Sequence, residues 1–287
     1  MTTVASWNIQ NGKGADGVVS LPRIAEVISR MGEPDVICLQ EVSRHLPVSG
    51  AGFAVDQIAE LADLFPGYEV IFGVAIEAGR APGAPRWQYG NATLSRLPVV
   101  SVFHHALPQP PHAGVRQMPR QVSEVTVATG NTSLRVMNTH LEYHSLEQRL
   151  AQIARLRELH LQAAAVAHSR PDYDDAGSYS FLDRPESCVL CGDFNIETGS
   201  PEYAAMLSPA DGAAVCFRDA WQIAHADRPH DPTCGVHDTV QWPQGPHCRD
   251  FFFVAGAAAS AVEGVCVDTE TDASDHQPLM LSIAGTP

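Results

Sequence analysis

The sequence predicts an α/β protein in which two sheets pack face to face with helices outside. Apolar strand-like runs outnumber the long amphipathic segments, so strand and helix do not alternate regularly. Short polar islands close those runs: Asn8 after TVASW, Glu41 after DVICLQ, Asn138-Thr139-His140 after SLRVM and Gly192-Asp193-Phe194-Asn195 after CVLC. A fifth, Ser274-Asp275-His276, lies near the C-terminus. The islands extend from Asn8 to His276, so one domain spanning residues 1–287 is expected to bring them together.

Residues 1–9, MTTVASWNI, alternate as a strand and lack the basic leader and apolar core of a signal peptide. In residues 22–31, Ile24, Val27, Ile28 and Met31 fall at i, i+3, i+4 and i+7 with Pro22 in the first turn. This helix joins the first two strands. The pattern recurs over 55–65 through Val55, Ile58, Ala59, Ala62 and Phe65, and Pro66-Gly67 ends it before a strand at 68–74. Residues 79–90, GRAPGAPRWQYG, read as a surface loop beside the cleft, and Asn91–Ser95 resume the extended pattern. Strands are expected at 99–105, 121–128 and 133–139, the last two as a hairpin across Gly130-Asn131. The proline-rich run 107–119 is a loop placed to shape substrate access.

The longest helix is expected at 145–168, with Leu146, Leu150, Ile153, Leu156, Leu159 and Ala163 on its apolar face. Arg155 and Arg157 read as a solvated face paired with Glu147 and Glu158. In the polar loop 169–187, Asp174-Asp175 lack the spacing of a dedicated calcium loop. A strand at 188–191, a short helix near 201–207 and strands at 249–255 and 279–283 complete the pattern.

With 45% hydrophobic and 18% charged residues, the composition is that of a soluble globular protein, and no apolar run is long enough to span a bilayer. The seven cysteines are dispersed through a large chain, which favours reduced thiols and a cytoplasmic location. Cys188 and Cys191 form a CxxC, but an extended backbone sends them to opposite faces of a sheet. The formal net charge of −15 carries no basic footprint for gripping duplex DNA. Bound cations would reverse that field locally, so a phosphate ester remains a suitable substrate.

Carboxylates, carboxamides and imidazoles are costly to bury singly, so islands of them at core strand ends point to one ion-filled cleft. Glu41, after a fully apolar run, is expected to project from a buried strand end as the chief ligand of a hard divalent cation. Asp193 and Asn195 sit two apart, so in an extended turn both face the cleft while Phe194 anchors on the other side. The carboxylate can orient or deprotonate a water, and the amide can hold that water or a phosphoryl oxygen. Asp250, ahead of Phe251-Phe252-Phe253, is the candidate partner that orients His276 and raises its pKa. His140 is placed to bind the phosphoryl group or a leaving oxygen. Of the thirteen histidines most carry no assignment.

Trp7-Asn8-Ile9-Gln10, Leu39-Gln40-Glu41, Tyr89 to Arg96, Asn138-Thr139-His140-Leu141, Gly192-Asp193-Phe194-Asn195 and Ser274-Asp275-His276-Gln277-Pro278 resemble, in order, the motif series of the endonuclease/exonuclease/phosphatase superfamily. The resemblance covers almost the whole chain. It implies a four-layered α/β/β/α sandwich of two mostly antiparallel mixed sheets, DNase I-like, with the site at the mouth between the sheets and magnesium or manganese as cofactor. It further implies that Asn8 assists Glu41 at the metal, that Asp275 is an auxiliary metal or water ligand, and that Asn91 supports the site through hydrogen bonds as a substrate-binding residue beside Asn195 and His140. The chain departs from the family pattern at Cys248-Arg249-Asp250-Phe251, where Arg249 takes an aliphatic place, and at Thr93.

The expected protein is therefore a divalent-metal-dependent phosphoesterase acting on a phosphomonoester or phosphodiester, with a small-molecule or lipid-derived phosphate favoured over duplex DNA. The rival within catalysis is an endonuclease or exonuclease of DNA or RNA, for which Arg80, Arg86 and Trp87 would form the rim. The rival outside it is a non-catalytic binding protein on the same fold.

Overall fold

The computed structural model describes residues 1–48, 52–53, 55–79, 82–83, 85–169, 177–209, 217–226 and 228–285. Strand β1 (Thr2–Asn8) passes through α1 (Leu21–Arg30) to β2 (Val36–Arg44), which lies parallel to β1 because a helical crossover returns the chain in the same direction. A small hairpin, β3 (Pro47–Val48) and β4 (Gly52–Phe53), leads to α2 (Gln57–Leu64) and the antiparallel pair β5 (Glu69–Ala78) and β6 (Trp87–Ser95). Strands β7 (Val99–Ala106), β8 (Gln121–Thr129) and β9 (Thr132–His140) form a meander. Helix α3 (Leu146–His168) crosses to β10 (Cys188–Asp193), parallel to β9. The chain then runs through α4 (Pro201–Leu207), β11 (Arg218–Asp219), α5 (Ala220–His225), β12 (Asp250–Ala255), α6 (Ala257–Ser260), β13 (Val262–Val267) and β14 (Leu279–Ile283).

Two six-stranded sheets result, in the orders β13-β14-β1-β2-β6-β5 and β11-β12-β10-β9-β8-β7. Each holds one parallel pair among antiparallel neighbours. Three apolar layers bind them: Val4, Val36, Val136, Val189 and Leu281 lie in the core between the sheets. Ile153, Leu156, Leu159 and Phe253 pack in a second layer with Tyr203 and Met206 of α4, and Ile24, Ile28, Ile37 and Leu61 form a third that takes in α1 and α2. This is the four-layered sandwich expected above. Cys191 lies in the inter-sheet layer and Cys188 in a helix-facing one, on opposite faces, and both are free thiols.

Several expectations need correction. The second helix begins at Gln57 because the Asp56 side chain accepts from Ala59 N at its cap, which leaves Val55 outside and 67% exposed. Leu146 and Leu150 are exposed on α3. Gln148 and Gln152 point inward instead and donate to the carbonyls of Pro110 (2.7 Å) and Pro108 (3.2 Å). A proline-rich loop lacks backbone donors, so amides serve against it better than leucines. Residues 87–90 are strand rather than loop, since Trp87 pairs with Ala78. Arg157 donates to the carbonyl oxygens of Ala205 and Ser208 at the C-terminal end of α4 rather than to a glutamate, whereas Arg155 does pair with Glu158. Strand β13 escaped the pattern because it is a half-exposed edge with Glu263, Gly264 and a bulge. Arg80, Asp174, Asp175 and Cys216 lie outside the described residues.

A buried polar tie joins the sheets behind the cleft: Gln40 Nε2 donates to Asn138 Oδ1 (2.8 Å), and Asn138 Nδ2 donates to the Ala92 carbonyl (3.0 Å). Asn138→Ala removes the shortest bond of the Gln40 amide, which keeps Ser6 Oγ (3.3 Å) and the Cys38 carbonyl (3.2 Å), and one donor to the Ala92 carbonyl, so a destabilisation of roughly 1–3 kcal/mol is expected in chemical denaturation. A wild-type midpoint and slope would show that the tie does not hold the sheets.

Candidate active site

Register assembles one half of the site. In the second sheet Asp193 pairs with His140 on one side and Asp250 on the other, so three polar side chains stand in a row at adjacent strand ends. Gly192 makes the approach possible: its φ is +139°, and a Cβ there would fall 1.8 Å from the Thr139 carbonyl oxygen. In the first sheet Asn8 lies opposite Gln40, and Glu41 follows.

Glu41 is inside β2, not at its end. It sits at the register shift between Leu39 and Val42 with φ of +58°, a bulge that re-aims its side chain. Asn8 then links the sheets, Nδ2 donating to Glu41 Oε1 (3.1 Å) and to Asp193 Oδ2 (3.0 Å). Asn195 is likewise not extended. Its φ is +52°, and its N–H donates to Asp193 Oδ1 (2.9 Å), which closes the turn so that both side chains enter the cleft while Phe194 packs between Phe251 and Phe253. Asn195 Nδ2 donates to the Leu141 carbonyl (3.0 Å) and lies 3.2 Å from His140 Nε2.

His276 Nδ1 is 2.8 Å from Asp250 Oδ2, which also accepts from Thr233 Oγ1 (2.6 Å). Trp7 Nε1 donates to the His276 carbonyl (2.9 Å) and fixes the loop. The Nε2 of His276 and that of His140 stand 3.7 Å and 3.4 Å from Asp193 Oδ2. Burial favours the neutral form of His276, but Asp250 and Asp193 outweigh it and raise its pKa well above the ordinary value. Burial also pushes the Asp193 carboxyl up, yet the two imidazoles and the bonds from Asn8 and Asn195 hold it below its usual range. Burial, then the neighbouring Arg120, press His140 down to about 3, so it is a neutral imidazole.

The donor set around Glu41 fits a divalent cation. Burial raises the Glu41 carboxyl, Asp275 raises it further, and among the described residues its side-chain partners are Asn8 and the Tyr89 hydroxyl rather than an arginine. Two carboxylates that repel one another in a cleft are what an oxygen-seeking ion relieves. Asp193, Asp250 and His276 also offer ligand atoms within 4.8 Å of one another, although the His276 Nδ1 position is already taken by Asp250.

Glu41, His140, Asp193, Asn195, Asp275 and His276 line one cavity of about 550 Å³, with Gln10, Arg116, Arg120, Tyr143, His144 and Trp242, whereas Asn8, Asn91 and Asp250 stand behind it. Asn91 makes no side-chain hydrogen bond among the described residues, contrary to expectation. It lines a small cavity of about 10 Å³ behind His140, with Tyr89 and Arg120. A larger cavity of about 1040 Å³ lies near α4 and α5, where Tyr203 and His230 are both bonded to Asp219.

Sequence reasoning missed Arg120. It is 5% exposed, its Nε has no hydrogen-bond partner, and Glu142 Oε2 is 3.7 Å away. A lone cation immediately ahead of an apolar strand was the available signal. The expected rim at Arg86 and Trp87 does not line the cavity: Arg86 pairs with Glu77.

An α/β sandwich with a buried Asp-His pair, a second aspartate and a glutamate at the mouth between its sheets defines a class of phosphoester-directed proteins. The family model for the Endonuclease/Exonuclease/phosphatase family matches residues 5–276, and the chain belongs to that family of metal-dependent phosphoesterases. No curated protein matches it. Among solved structures it is similar to an endonuclease/exonuclease/phosphatase from Beutenbergia cavernae, at 25% identity and a TM-score of 0.67, over 98% of this chain and 70% of that one. A mannosyl-6-phosphatase from Bacteroides thetaiotaomicron has 18% identity and a TM-score of 0.67, over 99% and 100% of the two chains. A 3′ phosphatase from Neisseria bound to a product DNA hairpin has 19% identity and a TM-score of 0.61, again over 99% and 100%. The last two likenesses concern the fold.

Proposed function

We propose that the chain acts as one catalytic domain, a cytoplasmic hydrolase of phosphoric esters that uses magnesium or manganese and favours a small-molecule or lipid-derived phosphate over duplex DNA. The observation that carries this reading is the Asn8 amide, which joins Glu41 of one sheet to Asp193 of the other at 3.1 and 3.0 Å and so unites the two halves of the site. Glu41, with Asn8 and Asp275, would hold the ion, which when bound stabilises negative charge on the phosphoryl oxygens. Asp193, ionised and anchored by Asn8 and Asn195, orients the attacking water and takes its proton. His276, charged and held by Asp250, donates to a phosphoryl oxygen, as do Asn195 and His140.

The net charge of −15 supports the preference against duplex DNA. Sugar phosphates fit a cavity of about 550 Å³ that mixes Gln10, Gln241, Tyr143 and Trp242 with the catalytic groups.

A panel of phosphate esters screened with and without magnesium or manganese tests the assignment. Metal-dependent turnover of at least one ester is expected, abolished by chelation and restored by the metal. Arg120→Ala should lower kcat/KM by roughly tenfold to a hundredfold, because a buried guanidinium that lines the cavity and whose Nε has no hydrogen bond is placed to receive phosphoryl oxygens. Silence across the panel would favour a binding protein, and salt-dependent capture of a fluorescent oligonucleotide would favour a nuclease.

A further inference from the structure

We propose that a stack of Tyr143, Arg249 and Trp242 walls the catalytic pocket on one side, so that the site takes phosphomonoesters and excludes phosphodiesters. This rests on the phosphoesterase reading and deepens it. The Arg249 guanidinium carbon lies 5.6 Å from the Tyr143 ring centroid and 5.1 Å from that of Trp242, and the two rings meet edge to face at 6.2 Å.

Each member is pinned. Arg149 donates to the Tyr143 carbonyl (2.6 Å) and to that of Glu142 (3.1 Å), fixing the turn between β9 and α3. Trp242 Nε1 donates to Asp275 Oδ2 (3.2 Å), and its ring lies edge-on to His276 at 5.6 Å. Arg249 Nε donates to His247 Nε2 (2.8 Å), and its terminal nitrogen lies 3.4 Å from Glu197. Beyond Trp242 the wall continues to the turn that follows β1, where Gln10 Nε2 donates to Gln241 Oε1 (2.9 Å) and Asp238 Oδ2 accepts from Gln241 (2.6 Å).

Asn195, Tyr143 and His144 line both the catalytic pocket and a neighbouring one of about 410 Å³ that contains Arg249. The stack therefore stands between two cavities that a continuous groove would join. A diester bound with its phosphorus beside Asp193 and Asn195 carries two organic arms. One can leave through the open side, whereas the other must cross the stack. Past it, Arg149 and Arg249, which line the second cavity, are already paired with Glu202 and Glu197, so they are less available to the next phosphate of a strand. A monoester has one arm and meets neither obstacle.

The test compares 4-nitrophenyl phosphate with bis(4-nitrophenyl) phosphate, in magnesium, for the wild type, Tyr143→Gly and Tyr143→Phe. Tyr143 is 43% exposed, so its truncation should leave the fold intact. The wild type should prefer the monoester. Tyr143→Gly should narrow the ratio of kcat/KM values by roughly tenfold or more, chiefly through a gain in the diester value, and Tyr143→Phe should keep the ratio. The variant comparison matters because the two esters differ in charge as well as shape, and charge alone would leave the ratio fixed. Equal use of both esters by the wild type, or an unchanged ratio in Tyr143→Gly, overturns the proposal. If neither ester turns over, the phosphoesterase reading fails on its own. Thermal-shift binding of phenyl phosphate and diphenyl phosphate then decides: selective binding of the first, relaxed by Tyr143→Gly, supports the wall, and equal binding removes it.

Discussion

Asp193→Asn should reduce turnover by roughly 10²–10⁴, the range for loss of a positioned acid–base group, while the protein remains folded. The carboxylate accepts from Asn8 Nδ2 and Asn195 N through different oxygens. A carboxamide keeps one of those bonds and turns an NH₂ toward the other donor, so it disturbs the anchoring as well as removing the base. It also removes an anion 3.7 Å from His276 Nε2 and so lowers the pKa of that imidazole. Rapid-quench or steady-state assays on the ester identified by the panel, with circular dichroism as the fold control, give the answer. Near-normal turnover in a folded variant would take the proton-accepting role away from Asp193.

The sequence made the sheets and their polar ends legible for a simple reason. An apolar run that stops at a cluster of hydrogen-bonding groups has reached the boundary of a core, and the runs before Asn8, His140 and Asp193 do so. Strand register then carries His140, Asp193 and Asp250 into one row without further information. The local backbone was not legible. Glu41 and Asn195 both adopt positive φ, which glutamate disfavours and asparagine only tolerates, so the surrounding bulge and turn decide it. Arg120 was hidden for a different reason: that its buried Nε is left without a hydrogen bond is a tertiary fact. The outward Leu146 and Leu150 show the same limit, since the loop that favours Gln148 and Gln152 over them is distant in sequence.

His276 is the second group on which the chemistry should depend steeply, and pH makes its role visible. Its imidazole is buried between Asp250, 2.8 Å from Nδ1, and Asp193, 3.7 Å from Nε2. Because its folded pKa is raised, its contribution to stability is complete below the unfolded value near 6.5 and is lost as pH rises through the folded value. The same sign governs catalysis if the imidazolium donates to the phosphoryl group: kcat should be sustained through neutral pH and fall on the alkaline side. His276→Gln should cost roughly 10²–10³ in kcat, the range for one lost donor to developing charge, and should erase that alkaline limb. Asp250→Asn is the sharper probe. It can keep a hydrogen-bond acceptor for Nδ1 but removes the charge that raises the imidazole pKa, so the limb should move to lower pH while part of the activity survives. Profiles of kcat over roughly pH 5 to 10 at saturating metal distinguish the cases. An alkaline limb that persists unchanged in both variants would assign it to another group and leave His276 with a positioning role.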